Sequence, residues 1–286
     1  MTSDTRPTSM DHAIGSTGQV TVKVASFDIH LGPSSDDQVH VRTADGRPLP
    51  DDLKVETAID SVSIRQVGRF LGVSLSFGES RAVAIDVELP PLAETIVQTA
   101  SGAVSATGLQ GDQNYRTASG DIRLERVGGR VAAETVSGDV QIGVEGSVEL
   151  IVKSVSGDVA IDGDIIERVR LTTTSGDIRL VSGLGTGPHA IETLSGDALI
   201  ATDSGVRIQA RTISGDLRSD LPHTSDGMIG RRSLTVGDGA VEMSFRSVSG
   251  DLLVADPATA RTGNQRTSML SSETRSVCVS ALTNAI

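Results

Sequence analysis

The chain has 286 residues, a formal net charge of −12, 31 glycines, one cysteine and only 2% aromatic residues. This acidic balance argues against nucleic acid as a partner, because affinity for phosphate backbones comes largely from Lys and Arg. It also argues against charge-driven docking on an anionic membrane. A single cysteine excludes a disulfide framework.

The start of the chain has none of the features of a secretory signal. Residues 1–19 are polar and lack a continuous apolar stretch, and no segment of the sequence is long and apolar enough to insert into a membrane. We therefore expect residues 1–19 to form a disordered leader. The expected location is cytoplasmic, with association to the cell envelope left open.

Alternation of apolar and polar residues predicts strands from residue 20 onward. Val20, Val22 and Val24 would share one face of a strand, and the pattern recurs at Val73–Phe77 and Ala82–Leu89 between turns rich in Gly and Pro. We expect residues 20–94 to be an all-β segment that caps the repeats that follow. A separate small sandwich is the alternative.

Residues 95–256 repeat a five-residue marker, which is a hydroxyl residue, usually an apolar residue, and then Ser-Gly-Asp. From the degenerate first copy at Ser101, the marker serines follow one another at steps of 18, 18, 19, 19, 20, 19 and 35 residues. A short and nearly constant period predicts stacked coils. The expected fold is all-β: a parallel β-solenoid, or β-helix, with coils of about 18–20 residues. The last step leaves room for one unmarked copy, and residues 257–286 are expected to be a flexible tail.

The glycine of each marker is predicted to form a tight corner, because glycine reaches positive φ at no steric cost. These structural glycines are Gly120, Gly138, Gly157, Gly176, Gly196, Gly215 and Gly250.

The aspartates of the markers are predicted to lie in a column, one carboxylate per coil. The favoured role is an Asx turn that caps each corner on nearby backbone N–H groups. Cation binding is the alternative, although calcium needs about six to eight oxygens and one carboxylate per coil supplies few of them. The column comprises Asp121, Asp139, Asp158, Asp177, Asp197 and Asp216.

The apolar residue before each Ser-Gly-Asp has two predicted positions. Strict alternation from Val152 would turn Val155 and its equivalents Val136, Leu194 and Ile213 outward, as an apolar stripe suited to lateral association. The favoured interpretation is that the corner resets the pleat and places these side chains in the core.

The sequence contains no recognisable catalytic constellation, so we predict no enzyme, no cofactor and no metal beyond the cation alternative above. Polysaccharide-active enzymes use parallel β-helices, but they gather charged residues on one flank, and here the charges repeat coil by coil. The histidines share no ligand spacing and each is predicted to be a surface residue. They are His12, His30, His40, His189 and His223.

The marker copies, together with Asp86–Pro90 and Thr99–Gly102, resemble a bacterial family of β-strand-repeat proteins known as "putative adhesin", a domain of unknown function. The resemblance covers residues 20–255 and implies a β-solenoid without known catalytic residues. The chain is also similar to the bactofilins, β-helical cytoskeletal proteins that polymerise end to end, although their repeats lack the marker.

The favoured function is therefore a non-enzymatic, adhesin-like binding or scaffolding module. Its partner would be an unknown protein or surface ligand, with self-association as a further option. A self-assembling, bactofilin-like filament is the first alternative, and a polysaccharide-active β-helix enzyme is the second.

Overall fold

The computed structural model describes residues 7–67, 84–228 and 231–261, and these residues form strands almost throughout. The all-β class predicted from alternation is confirmed, while the strand predicted at Val73–Phe77 lies outside the described residues. The strands are β1 (Ser9–Ala13), β2 (Gln19–Lys23), β3 (Asp28–Pro33), β4 (Gln38–Thr43), β5 (Leu53–Ala58), β6 (Ser61–Gln66), β7 (Ala84–Leu89), β8 (Glu94–Gln98), β9 (Val104–Thr107), β10 (Gln113–Arg116), β11 (Ile122–Thr135), β12 (Val140–Ser156), β13 (Val159–Ser175), β14 (Ile178–Leu184), β15 (His189–Ser195), β16 (Ala198–Ala201), β17 (Val206–Ser214), β18 (Leu217–Ser219), β19 (His223–Met228), β20 (Arg231–Val236), β21 (Val241–Ser249) and β22 (Leu252–Ala255).

Each coil of the stack has one strand before the Ser-Gly-Asp corner and one after it. Strands before the corner form wall A, in the spatial order β5, β6, β2, β8, β10, β11, β12, β13, β15, β21, β17, β20, β19. Strands after the corner form wall B, in the order β1, β4, β7, β3, β9, β11, β12, β13, β14, β16, β22, β18. The long strands β11, β12 and β13 contribute to both walls.

Neighbouring strands in the central coils are parallel, and their register follows the sequence period. Ile122 pairs with Val140, 18 residues later, and Ile178 pairs with Ala198, 20 residues later. Alternate side chains point between the walls, where small aliphatic residues form one continuous core with Tyr115 and Phe245 as its largest members. A core of this kind is thin, which is why a chain with few aromatics can fill it.

Both ends of the stack depart from the wholly parallel solenoid that the repeats predict. At the N-terminal end β5, β4 and β1 pair antiparallel with β6, β7 and β4. At the C-terminal end β20 pairs antiparallel with β17, and β19 with β20. A hairpin can close a ladder with a few residues, whereas one more parallel strand would need another full coil.

The two segments predicted to lack structure are partly ordered. Within the predicted leader, Ser9–Ala13 forms β1 and the side chain of Ile14 is buried. Within the predicted tail, residues 257–261 form a helical turn, whose Ala260 carbonyl accepts a hydrogen bond from Arg179 at 2.8 Å. The prediction of disorder is therefore wrong for these residues, while 1–6 and 262–286 lie outside the described residues.

The last marked coil is stacked out of sequence order. Strand β21 pairs on one side with β15 and on the other with β17, and β22 lies in the same way between β16 and β18. The long final step between markers therefore contains the hairpin β19–β20 instead of the predicted unmarked copy. A similar insertion occurs near the N-terminus, where β2 lies between β6 and β8.

Candidate functional site

The marker glycines are held against one another by the close approach of successive coils. A Cβ atom on Gly138 would lie 2.0 Å from the carbonyl oxygen of Gly120, and a Cβ on Gly176 would lie 2.3 Å from that of Gly157. Every marker glycine meets the preceding corner in this way, at 1.9–2.3 Å, in the spatial order Gly102, Gly120, Gly138, Gly157, Gly176, Gly196, Gly250 and Gly215. A side chain at these positions would force the coils apart.

Positive φ, the reason predicted for these glycines, applies to only some of them. Gly157, Gly176, Gly196 and Gly215 have φ between 135° and 157°, whereas Gly120 and Gly138 do not lie in that region. Close approach is therefore the requirement that all the marker glycines share.

The marker aspartates form a hydrogen-bonded series along the stack. The backbone N–H of Asp158 donates to Oδ1 of Asp139 at 2.9 Å, and the N–H of Asp177 donates to Oδ1 of Asp158 at 2.9 Å. The same bond, at 2.8–3.0 Å, joins the aspartate ladder, which is in spatial order Asp121, Asp139, Asp158, Asp177, Asp197, Asp251 and Asp216.

The aspartate ladder differs from the predicted Asx turns, because each carboxylate caps the next coil and not its own corner. Two carboxylates about 5 Å apart repel by about 0.8 kcal/mol in water. A hydrogen bond to a charged acceptor contributes about 1.5–3 kcal/mol, so the bonds outweigh the repulsion. No group of three or more His, Cys, Asp or Glu side chains among the residues described could hold a metal ion.

We expect Asp158→Ala to lower the free energy of unfolding by about 1–2 kcal/mol, because the N–H of Asp177 loses its acceptor. Asp158→Asn keeps an acceptor oxygen and removes one repelling charge, so its expected cost is below about 0.5 kcal/mol. Urea unfolding of both variants measures the difference. Equal losses for the two substitutions would show that the charge matters and the bond does not.

The marker hydroxyls close the corner within their own coil at the start of the stack. Oγ1 of Thr117 accepts the N–H of Gly120 at 2.9 Å, and Oγ1 of Thr135 accepts that of Gly138 at 3.0 Å. From Gly157 onward the corner changes, and the N–H of Gly157 donates instead to the carbonyl of Ser175 in the next coil at 3.3 Å. The change coincides with the lengthening of the marker period from 18 to 19 residues.

One further copy of the marker lies at Ala25–Asp28. The repeat pattern does not reveal it, because Phe27 stands where the other copies have glycine. Its identity follows from its bonds, since the N–H of Ser101 donates to the carbonyl of Ala25 and the N–H of Ala103 donates to Oδ1 of Asp28. The signal that could have revealed it is the Ser-x-Asp spacing, with alternating apolar residues on both sides.

The apolar residues of the marker point outward, so the favoured interpretation that they enter the core is wrong. Ser154 is buried, the following Val155 is 48% exposed, and the pleat therefore continues into the corner without a reset. We call the outward apolar residues the apolar stripe, which is in spatial order Val136, Val155, Leu194, Val248 and Ile213.

A shallow groove follows the outer surface of wall B, beside the aspartate ladder. It consists of three clefts of about 270, 360 and 510 Å³. Arg123 lines the first and second clefts, and Arg179 lines the second and third. The outward residues along this wall B groove are, in spatial order, His30, Ser105, Arg123, Gln141, Ala160, Arg179, Leu199, Leu253 and Arg218.

The three groove arginines differ in their partners. Arg123 contacts Glu125 at 3.1 Å and Arg218 contacts Asp216 at 2.7 Å. Arg179 donates from one nitrogen to the Ala260 carbonyl, while its Nη1 is buried and has no hydrogen-bond partner among the described residues. The middle of the wall B groove therefore has a cationic group, one of whose donors is unpaired and buried.

His189 is buried in the core, which corrects the prediction that every histidine is a surface residue. Its side chain lies inward between Val169 and Met243 of the adjacent coils, and the residue is 3% exposed. Nε2 lies 2.9 Å from the Gly185 carbonyl, and Nδ1 has no partner within the described part of the chain. Burial lowers the pKa of His189, because the charged imidazolium loses its hydration.

We expect acid to destabilise the fold through His189. A histidine whose folded pKa is lowered favours the folded state above pH about 6.5, the unfolded value, and this contribution is lost as the pH falls through the folded pKa. His189→Met, which copies the Met243 of the next coil, should therefore flatten the fall in Tm between about pH 7.5 and 5.

His40 provides a control, because its pKa is shifted in the opposite direction. The hydrogen bond that Nδ1–H of His40 donates to the Asp11 carboxylate, at 2.7 Å, raises the pKa of His40, because it stabilises the charged imidazolium. Its contribution is present below pH about 6.5 and is lost as the pH rises through the folded pKa. His40→Asn should thus lower Tm on the acid side of the profile and leave the alkaline side unchanged, whereas His189→Met should raise Tm on the acid side relative to the wild type. A higher acid-side Tm for His40→Asn would contradict the assignment.

Comparison with known proteins gives a family and a fold. The sequence profile of the Toastrack DUF4097 family matches residues 18–255. No curated protein is similar enough in sequence to count as a relative. Within the described residues, no helix has the length and apolarity needed to cross a membrane.

Several solved structures are similar to the chain at low sequence identity. A "putative lipid binding protein" of Parabacteroides distasonis ATCC 8503 is 16% identical, with a TM-score of 0.50 over 87% of this chain and 97% of that one. A "putative adhesin" of the same organism is 14% identical, with a TM-score of 0.43 over 86% and 96%. A "putative adhesin" of Bacteroides fragilis NCTC 9343 is 13% identical, with a TM-score of 0.33 over 86% and 95%.

The first of these structures supports the fold, and the match of the family profile spans nearly all of the described strands. The chain is a member of the Toastrack DUF4097 family.

Proposed function

We propose that the chain is a non-enzymatic, adhesin-like binding module that holds an extended ligand in the wall B groove. The observation that carries the proposal is the continuity of the three clefts, which share Arg123 and Arg179 along one face. Nine coils line this face from His30 to Arg218, so at about 4.8 Å per coil the groove is about 38 Å long. Parallel stacking of the marked coils makes this surface continuous and regularly spaced, as a scaffold requires.

The spacing of the groove arginines favours an extended polypeptide with acidic residues. Arg123, Arg179 and Arg218 are three coils apart, which is about 14 Å. An extended peptide covers that distance in about four residues. Leu199 and Leu253 lie between the last two arginines and provide apolar contact. Stacking on sugar rings needs aromatic faces, and only 2% of the residues are aromatic.

An array of extended peptides with acidic residues at varied spacing tests this function. We expect the wild-type chain to bind most strongly to peptides with carboxylates about four residues apart, and Arg123→Ala/Arg218→Ala to lose most of that binding. Arg170→Ala, an exposed arginine on the outer face of wall A, is the matched control and should bind like the wild type. Recovery of the bound peptide with unchanged mass tests the non-enzymatic part of the proposal.

Two outcomes would contradict the proposal. Cleavage or modification of the bound peptide would show that the chain is an enzyme. Equal loss of binding in the groove variant and in Arg170→Ala would show that charge alone, and not the groove, retains the ligand. An end-to-end filament has less support, because among the described residues wall A ends on both sides in an antiparallel strand, β5 at one edge and β19 at the other.

A further inference from the structure

The apolar stripe is a line of exposed hydrophobic side chains that neither the core nor the wall B groove uses. Leu194 is 51% exposed, Ile213 is 82% exposed, and Val136, Val155 and Val248 are 41–49% exposed. They occupy six successive coils, interrupted only by Thr174, so the line is about 24 Å long. Aligned apolar side chains of this kind mark an interaction surface more often than isolated ones do.

The spacing of the apolar stripe matches a second β-stack better than it matches other elements. Its side chains repeat about every 4.8 Å, the distance between neighbouring strands. A helix places a side chain on one face about every 5.4 Å, and a strand lying along the stack does so about every 6.7 Å. A partner built of stacked coils therefore keeps contact at every level, and a second copy of this chain has that spacing and the same stripe.

The charges beside the apolar stripe select the orientation of such a copy. On one side lies the aspartate ladder, and on the other side lies a column of mixed charge on wall A. That column has four basic and two acidic side chains and is, in spatial order, Arg116, Glu134, Lys153, Thr172, Glu192, Arg246 and Arg211. Its ion pairs include Glu134 with Lys153 at 2.8 Å and Glu192 with Arg246 at 3.1 Å.

With the two stacks parallel, a two-fold axis along the stripe places the aspartate ladder of each copy against the mixed column of the other. With the stacks antiparallel, ladder would face ladder and like charges would meet along the whole contact. The parallel arrangement is thus the one that the charges allow.

We propose that two copies of the chain pair side by side through the apolar stripe, with parallel stacks. The contact is narrow, below the size of about 1,200 Å² typical of stable complexes, so the dimer is expected to dissociate in the micromolar range. The proposal does not depend on the function of the wall B groove, which lies on the other side of the aspartate ladder.

Self-crosslinking by single cysteines tests both the pairing and its direction, in a Cys278→Ser background that removes the natural cysteine. In parallel stacks each coil meets the same coil of the other copy. Val155→Cys and Ile213→Cys should therefore each form a disulfide-linked dimer on mild oxidation. In antiparallel stacks these residues, four coils apart, cannot both meet their own equivalents, so crosslinking at only one of them overturns the proposed direction.

Sedimentation equilibrium tests the role of the stripe. We expect Leu194→Ser/Ile213→Ser to raise the dissociation constant of the dimer at least about tenfold. Ile165→Ser, which changes a 46% exposed isoleucine away from the stripe, should leave it unchanged. A wild-type chain that stays monomeric at several hundred micromolar, or a dimer that the stripe variant forms equally well, overturns the proposal.

Discussion

Gly138→Ala is expected to destabilise the fold by about 3 kcal/mol or more, or to prevent folding. The added Cβ would lie 2.0 Å from the carbonyl oxygen of Gly120, and no rotamer change can relieve a contact between backbone and Cβ. The two corners must move apart, which lengthens the hydrogen bond that the N–H of Asp139 donates to Oδ1 of Asp121. The substitution therefore affects packing and the aspartate ladder at once.

Gly143→Ala provides the matched control, because it lies five residues later in the same coil. A Cβ there would have its nearest neighbour, the Leu124 carbonyl oxygen, at 3.6 Å, an ordinary contact. We expect this variant to be as stable as the wild type or slightly more so, since alanine restricts the unfolded chain. Urea unfolding compares the two, and similar stabilities would show that the corners can separate at little cost.

The sequence predicted the positions of these glycines but not the reason for them. Period and Ser-Gly-Asp spacing reveal that a corner recurs, and glycine at a corner suggests positive φ. The requirement at Gly120 and Gly138 is instead the distance to another coil, which no local pattern contains. The role of the aspartates was mispredicted for the same reason. A capping motif is recognised from residues within its own turn, whereas the carboxylate of Asp158 accepts a hydrogen bond from the next coil.

The spatial order of the coils could not be predicted from the sequence either. The marker at Ser249 is as regular as the others, so a sequential stack is the simplest prediction from its pattern. Its actual neighbours are set by the hairpin β19–β20, which occupies the outer edge of β17 and leaves the last coil to enter the stack on the inner side. His189 illustrates the same point, since its buried side is fixed by the register with Val169 and not by its residue type.

Phe245→Ala is expected to cost about 3–5 kcal/mol, among the largest effects of any single core substitution. Phe245 is 1% exposed and pairs with Ile191 on one side and Ala210 on the other. Because its neighbour Ala210 is small, truncation would leave two adjacent alanines and a cavity that the rigid coils cannot close. We therefore expect a value near the upper end of that range, measured by urea unfolding.

The size of this effect depends on the last coil lying inside the stack, and paired cysteines test that position directly. In the Cys278→Ser background, Glu192→Cys and Arg246→Cys are adjacent across β15 and β21, about 4.8 Å apart, a separation that a disulfide can span. Glu192→Cys and Arg211→Cys are two coils apart, about 9.6 Å, which is too far. We expect the first pair to crosslink within one chain and the second to remain reduced. The opposite result would restore a sequential order, place Phe245 in an end coil and remove the reason for its large contribution.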